Sequence, residues 1–93
     1  MGLEDIAMFR TIPGAVILYP SEGVSTFHAT TLAANQKGIV FIRTGRPDAK
    51  TFYKRDEEFQ IGKSKVAVTN EGDKITVVGA GVTFEAAVNA AEK

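Results

Sequence analysis

Catalysis needs particular residue types held close together, and this 93-residue chain offers few: one histidine, His28, no cysteine, and carboxylates that no spacing gathers into one pocket. Nucleophilic and general acid–base chemistry both require paired groups. No catalytic residue and no metal ligand set is therefore expected in this chain. Gly79-Ala80-Gly81 has the opening of a phosphate-binding turn, but the third glycine of G-x-G-x-x-G falls on Phe84, which blocks the motif. The plainer reading is a tight strand-to-helix turn, with Thr83 as the helix cap and Glu85 near its positive end. His28, between Phe27 and Ala29, has no partner at ligand spacing and reads as a partly buried helical side chain. Asp56-Glu57-Glu58 follows Lys54-Arg55 and reads as a solvated linker.

The remaining candidate is the corner Arg43-Thr44-Gly45-Arg46-Pro47, which follows an apolar run of the parallel-strand type. Ligands of open α/β sheets bind at the carboxyl ends of such strands. Pro47 biases Arg46 toward extended backbone, and Gly45 removes side-chain bulk. A guanidinium there could grip a phosphate or carboxylate with two parallel hydrogen bonds. On spacing alone a surface or salt-bridged arginine pair is the simpler account.

The elements that must carry this corner alternate between helix and strand. Leu3, Ile6, Ala7 and Arg10 fall at helical spacing with Phe9 beside them, and Pro13-Gly14 ends that helix. Residues 15–19 (AVILY) and 39–42 (IVFI) read as parallel strands buried on both faces. Between them Ser21 is the expected cap of a helix whose face is traced by Val24, Phe27, His28, Thr31, Leu32 and Asn35, with Gly38 as its C′ residue. Residues 15–42 thus read as a right-handed βαβ unit. Residues 45–64 are polar, interrupted by Pro and Gly, and aperiodic. Residues 65–69 and 74–78 read as two strands flanking the turn Asn70-Glu71-Gly72-Asp73, and a last helix starts near Thr83 with Phe84, Ala87, Val88 and Ala91 on one side. The first helix has almost no lead-in and the last has no stop signal, so the chain reads as part of a longer α/β protein.

Composition narrows the function classes. With 44% hydrophobic residues, and Gly 9 and Pro 3 scattered without a period, the chain is neither disordered nor collagenous. Lys+Arg 11 balance Asp+Glu 11, and no basic stripe is present to neutralise phosphates, so no nucleic-acid partner is expected. Apolar runs such as residues 15–19 fall far short of the roughly 20 residues that span a bilayer, so no membrane role is expected, and a cytoplasmic location is the default. A chain of this length buries roughly 60 to 65% of its unfolded surface, so its core is marginal and low thermal stability is expected of it in isolation.

Whole phrases of the sequence resemble the animal-type transketolases. They are Gly2-Leu3-Glu4-Asp5-Ile6-Ala7-Met8-Phe9-Arg10, Tyr19-Pro20-Ser21-Glu22-Gly23-Val24, Leu32-Ala33-Ala34-Asn35 and Gly38-Ile39-Val40-Phe41-Ile42-Arg43-Thr44-Gly45-Arg46-Pro47. Phe59-Gln60-Ile61-Gly62-Lys63-Ser64-Lys65-Val66 and Ile75-Thr76-Val77-Val78-Gly79-Ala80-Gly81-Val82-Thr83 continue the likeness over essentially the whole chain. The resemblance implies that residues 1–44 end a parallel-sheet pyrimidine-binding domain, residues 45–64 are an interdomain linker, and residues 65–93 open a second α/β domain, the C-terminal one.

The resemblance also implies a reaction. Transketolases of the pentose phosphate pathway move a two-carbon ketol unit from a ketose phosphate to an aldose phosphate, with thiamine pyrophosphate and a divalent cation, Mg or Ca, in a homodimer. Arg46 matches the family arginine that binds the sugar phosphate, whereas Arg43 inherits no role. Met1 follows the position of a family glutamine near the thiamine's pyrimidine ring. The family's catalytic glutamate, its substrate histidines and its Gly-Asp-Gly cofactor motif belong to segments these residues do not include. His28 falls where relatives carry a different polar residue, and Phe27 where they carry a charge. The chain alone is therefore expected to be inactive, with its cofactor and metal ligands elsewhere. The alternative is a non-catalytic α/β interaction module derived from a transketolase.

Overall fold

The computed structural model describes residues 2–93; the expectation for Met1 lies outside the described residues. The elements run α1 (Asp5–Arg10), β1 (Val16–Leu18), α2 (Gly23–Ala34), β2 (Val40–Ile42) and α3 (Thr83–Ala91). β1 and β2 are parallel, with Val16 opposite Val40, Ile17 opposite Phe41 and Leu18 opposite Ile42. The ladder extends at both ends, where Val16 N–H donates to Ile39 O (2.9 Å) and Arg43 N–H to Leu18 O (3.0 Å). This is the expected βαβ unit, and the α/β class holds.

Two contacts cover the sheet. Phe9 of α1 stacks on Phe41 of β2 with ring centroids 4.1 Å apart and planes 8° from parallel. α2 packs against β2 and buries Ser25 and Ala29. That face differs from the expected one, because Phe27 is 68% exposed and Thr31 also faces water. The strands differ as well: all six residues are half-buried rather than enclosed on both faces. Two strands provide too narrow a sheet to be closed over on both sides. Leu3, expected on the first helix, precedes α1 and is 92% exposed.

The helix starts also correct the reading. Glu22, not Ser21, is the N-cap of α2: its carboxylate accepts from Ser25 N–H (2.6 Å) and Val24 N–H (3.3 Å), while Ser25 Oγ accepts from Glu22 N–H (3.1 Å). This is a capping box with the two residue types exchanged. Its effect is to bury the Glu22 carboxylate, with the residue only 4% exposed. Asn35 is the C-cap, so Gly38 (φ +98°) serves the turn into β2 and not the helix end. Thr83 is the first residue of α3, and its hydroxyl bonds back to Ala80, accepting from N–H (3.1 Å) and donating to O (2.7 Å).

Residues 65–69 and 74–78 are not strands. The turn between them forms, with Asn70 N–H donating to Asp73 Oδ2 (2.8 Å) and Asp73 N–H to Asn70 O (3.3 Å), but no ladder follows it. Val66 and Ile75 are each 81% exposed. β-branched residues favour strands through packing on a neighbouring surface, and without such a surface the preference is not realised. Residues 45–64 contain no helix or strand, yet they are anchored by aromatic contacts. Phe52 meets Phe84 edge-on at 5.0 Å, and Tyr53 stacks on Phe84 at 5.6 Å. Phe84 is one of the few buried apolar side chains, at 8% exposure, so this junction with α3 is a small core of its own.

Candidate functional site

A cleft of about 590 Å³ lies at the carboxyl ends of β1 and β2. Residues 20–23 and Thr26 form one wall, Thr44, Gly45 and residues 47–49 a second, and Gly81, Val82 and Glu85 a third. The sequence reading places a site at these strand ends. The third wall, from the start of α3, is not legible in the local pattern.

Arg43 and Arg46, adjacent in the motif, have different surroundings. Arg43 is half-buried: its Nη1 donates to Asp5 Oδ1 (2.9 Å), and its guanidinium carbon lies 5.3 Å from the centre of the Tyr19 ring. Those contacts hold the guanidinium against the fold and make Arg43 a structural link between α1 and the end of β2. Arg46 is exposed, sits between the cleft-lining Gly45 and Pro47, and makes no ion pair among the described residues.

The cleft's own electrostatics limit what it can hold. Its ionisable lining is Glu22, Asp48 and Glu85. The first amides of α2 would ordinarily attract an anion, but the Glu22 carboxylate already accepts from two of them. An anion is therefore disfavoured inside the cleft, and Arg46 is not among the residues that line it. Among the described residues no group of three or more His, Cys, Asp or Glu could hold a metal ion.

Tyr19, at the end of β1, organises the neighbourhood. Gly81 N–H donates to its carbonyl (3.2 Å), and the ring fills the space that a β-carbon at position 81 would need. Gly81 also has φ +55°, so glycine is required there on two counts. Gly79 also lies against α3, where a β-carbon would sit 3.0 Å from Phe84 Cα and 3.1 Å from the β-carbon of Ala87. The Gly79-Ala80-Gly81 turn is thus a packing device, as its plainer reading has it.

His28 sits beside the linker and outside the cleft lining. Its Nε2–H donates to Arg55 O (2.9 Å), and its ring stacks on Phe59 at 4.9 Å. Within 45–64, Asp56 and Glu58 are solvated as expected, but Glu57 pairs with Lys65 (2.5 Å). Lys65 Nζ also lies 4.3 Å from the Phe59 ring centre and 5.5 Å from that of Tyr53. The hydrogen bond from Lys65, then that from Lys54 N–H, holds the Glu57 carboxyl below its ordinary range. Burial, then the Glu22 and Glu57 charges, pushes the Tyr53 phenol up. A second hollow of about 140 Å³ is lined by Phe52, Tyr53, Glu57 and Lys65 among others, and its two charges neutralise each other. No helix is long and apolar enough to cross a membrane among the described residues.

The family described as transketolase, pyrimidine binding domain, matches residues 1–51. The transketolase of Homo sapiens is 52% identical over 92 residues, which cover 99% of this chain and 15% of that protein. The transketolase-like protein 1 of Macaca fascicularis is 54% identical over 93 residues, covering 100% of this chain and 16% of that protein. The transketolase-like protein 2 of Mus musculus is 54% identical over the same length, covering 15% of its own chain. The chain spans about 15% of the length of the curated relatives it matches. With a family match over residues 1–51 and over half its positions identical to these relatives, this α/β chain belongs to the transketolase family.

Proposed function

We propose that these residues contribute the sugar-phosphate anchor of an enzyme that transfers a two-carbon ketol unit from a ketose phosphate to an aldose phosphate. The observation that carries the reading is the state of Arg46: exposed, without an ion-pair partner among the described residues, and next to a cleft at the carboxyl ends of parallel strands. A charge-assisted grip on phosphate there supplies binding energy remote from the reacting carbons, which orients them. The match to transketolases over 99% of the chain supports this choice of reaction.

Thiamine diphosphate and a divalent cation supply the carbanion chemistry of such a transfer, and the described residues do not fit either group. No metal-binding trio is present among the described residues, and the carboxylates of Glu22, Asp48 and Glu85 oppose a pyrophosphate in the cleft. In this reading both groups, the second subunit of a homodimer and the catalytic residues belong to parts of a complete transketolase beyond these residues, which alone are inactive. Residues 1–44 then close the pyrimidine-binding domain, 45–64 link it onward, and 65–93 begin the next domain. The end of the family match at residue 51, within the linker, supports that division.

The test is Arg46→Ala in a complete transketolase carrying these residues, assayed with a phosphorylated and an unphosphorylated ketose donor. A rise in KM confined to the phosphorylated donor supports the anchor; equal changes for both overturn it. A second reading, a non-catalytic interaction module, draws on the exposed Val66, Ile75 and Val78 of the unpaired segments. Co-migration of the 93-residue chain with a full-length subunit on gel filtration supports that reading, and separate elution counts against it.

A further inference from the structure

We infer that the contact between Gly45 and Val82 sets the position of Arg46, so that both are positioning residues for the phosphate anchor; this rests on the reading of Arg46 given above. Arg46 forms no side-chain hydrogen bond or ion pair among the described residues, so the backbone on either side must place it. On the amino side Arg43 is fixed three ways, by its N–H to Leu18 O (3.0 Å), by Asp5 (2.9 Å) and by the Tyr19 ring. On the carboxyl side Pro47 restricts Arg46 to extended conformations.

Between these anchors Gly45 lies against the start of α3. A β-carbon at position 45 would sit 3.2 Å from Val82 Cγ1, so the backbone already lies against that methyl group. Val82 is in turn held by Gly81, which is buried, hydrogen-bonded to Tyr19 O and covered by the Tyr19 ring. Tyr19 thus serves as a common reference for Arg43 on one side of the corner and for Val82 on the other. The start of α3, distant in sequence, acts as a stop against which the phosphate-binding corner rests. Small misplacements of such a group are costly, because binding energy reaches the reacting carbons only through correct geometry.

The experiment is a double-mutant cycle in the complete enzyme, reading kcat and KM with phosphorylated and unphosphorylated ketose donors. Gly45 has no positive φ, so Gly45→Ala leaves the backbone unstrained and presses chiefly on Val82 Cγ1 (3.2 Å), with Pro47 Cδ at an ordinary contact distance of 3.6 Å. It is expected to raise KM for the phosphorylated donor about threefold, with kcat and the other KM unchanged. Val82→Ala, which only removes volume, is expected to raise the same KM about twofold. Combined with Gly45→Ala it restores room for the new methyl group and returns KM toward the parent value. Additive effects, no effect of either variant, or equal rises for both donors would overturn the positioning role. If Arg46→Ala abolishes phosphate preference while Gly45 and Val82 show no coupling, the positioning role alone fails. If Arg46→Ala leaves the preference intact, the anchor fails and the positioning role with it.

Discussion

Asp5 holds Arg43: the carboxylate accepts from the guanidinium at 2.9 Å, joining the first turn of α1 to the residue that follows β2. That one ion pair separates two arginines that look alike in the sequence. Arg43 is a structural link, whereas Arg46 has no ion-pair partner among the described residues. It also fixes the amino side of the corner.

Removing this link should loosen both α1 and the corner that follows β2. Both partners are about one-third exposed, so the pair and the contact with Tyr19 together are worth about 0.5 to 1 kcal/mol. Arg43→Ala should therefore speed amide exchange in residues 5–10 and 43–45 by a few-fold. Asp5→Asn should do the same to a smaller extent, because the Tyr19 contact survives.

The α2 cap makes a second prediction. Glu22→Ala frees the N–H groups of Val24 and Ser25 and removes the partner that covers them. The expected loss is about 1 kcal/mol of local stability, read as faster exchange at the first turn of α2. Glu22→Gln should retain more of it, since its side-chain oxygen still accepts a hydrogen bond. An unchanged exchange rate in Glu22→Ala would show that the cap contributes little.

The legible parts of the fold are those set by contiguous residues. The runs at 15–19 and 39–42 announce two strands, and the helix between them points to the parallel crossover, whereas their half-buried state depends on the narrow sheet and not on the runs themselves. Local chemistry misleads where two signals compete: Ser21 is the commoner cap type, yet Glu22 reaches Ser25 at the N3 spacing and takes the position. Residues 65–69 and 74–78 carry strand composition, but pairing depends on a surface their own sequence does not supply. In the candidate site Arg46 and the strand-end corner could be found from the motif. Asp5, Tyr19 and Val82 could not, because each acts across elements far apart in the chain.

Acidification should release the linker from Lys65. Glu57 titrates below its ordinary value of 4.5 because Lys65, then Lys54 N–H, bonds its charged form. A depressed carboxyl contributes stability that is complete above 4.5 and is lost as pH falls through the lower folded value. Ring signals of Tyr53 and Phe59, which flank Lys65, should shift over that acid range. Glu57→Gln should leave them flat there, and a parent-like titration in that variant would assign the change to another group.

His28 provides a second tie between the linker and α2. His28→Ala removes the hydrogen bond to Arg55 O and the stack on Phe59, so amides of residues 53–59 should exchange several-fold faster. His28→Gln retains a donor but not the stack, and should fall between the two. Equal protection in all three proteins would mean that the Phe52, Tyr53 and Phe84 contacts hold the segment unaided.

The most direct measurement compares Arg46→Ala with the parent in a complete transketolase, using two ketose donors that differ only in their phosphate. Loss of a charge-assisted grip should raise KM for the phosphorylated donor about tenfold or more and leave the unphosphorylated donor within about twofold. Arg46→Lys, which keeps the charge but loses the planar fork, should lie between. A KM that rises equally for both donors, or for neither, would contradict the assignment of Arg46 as the phosphate anchor.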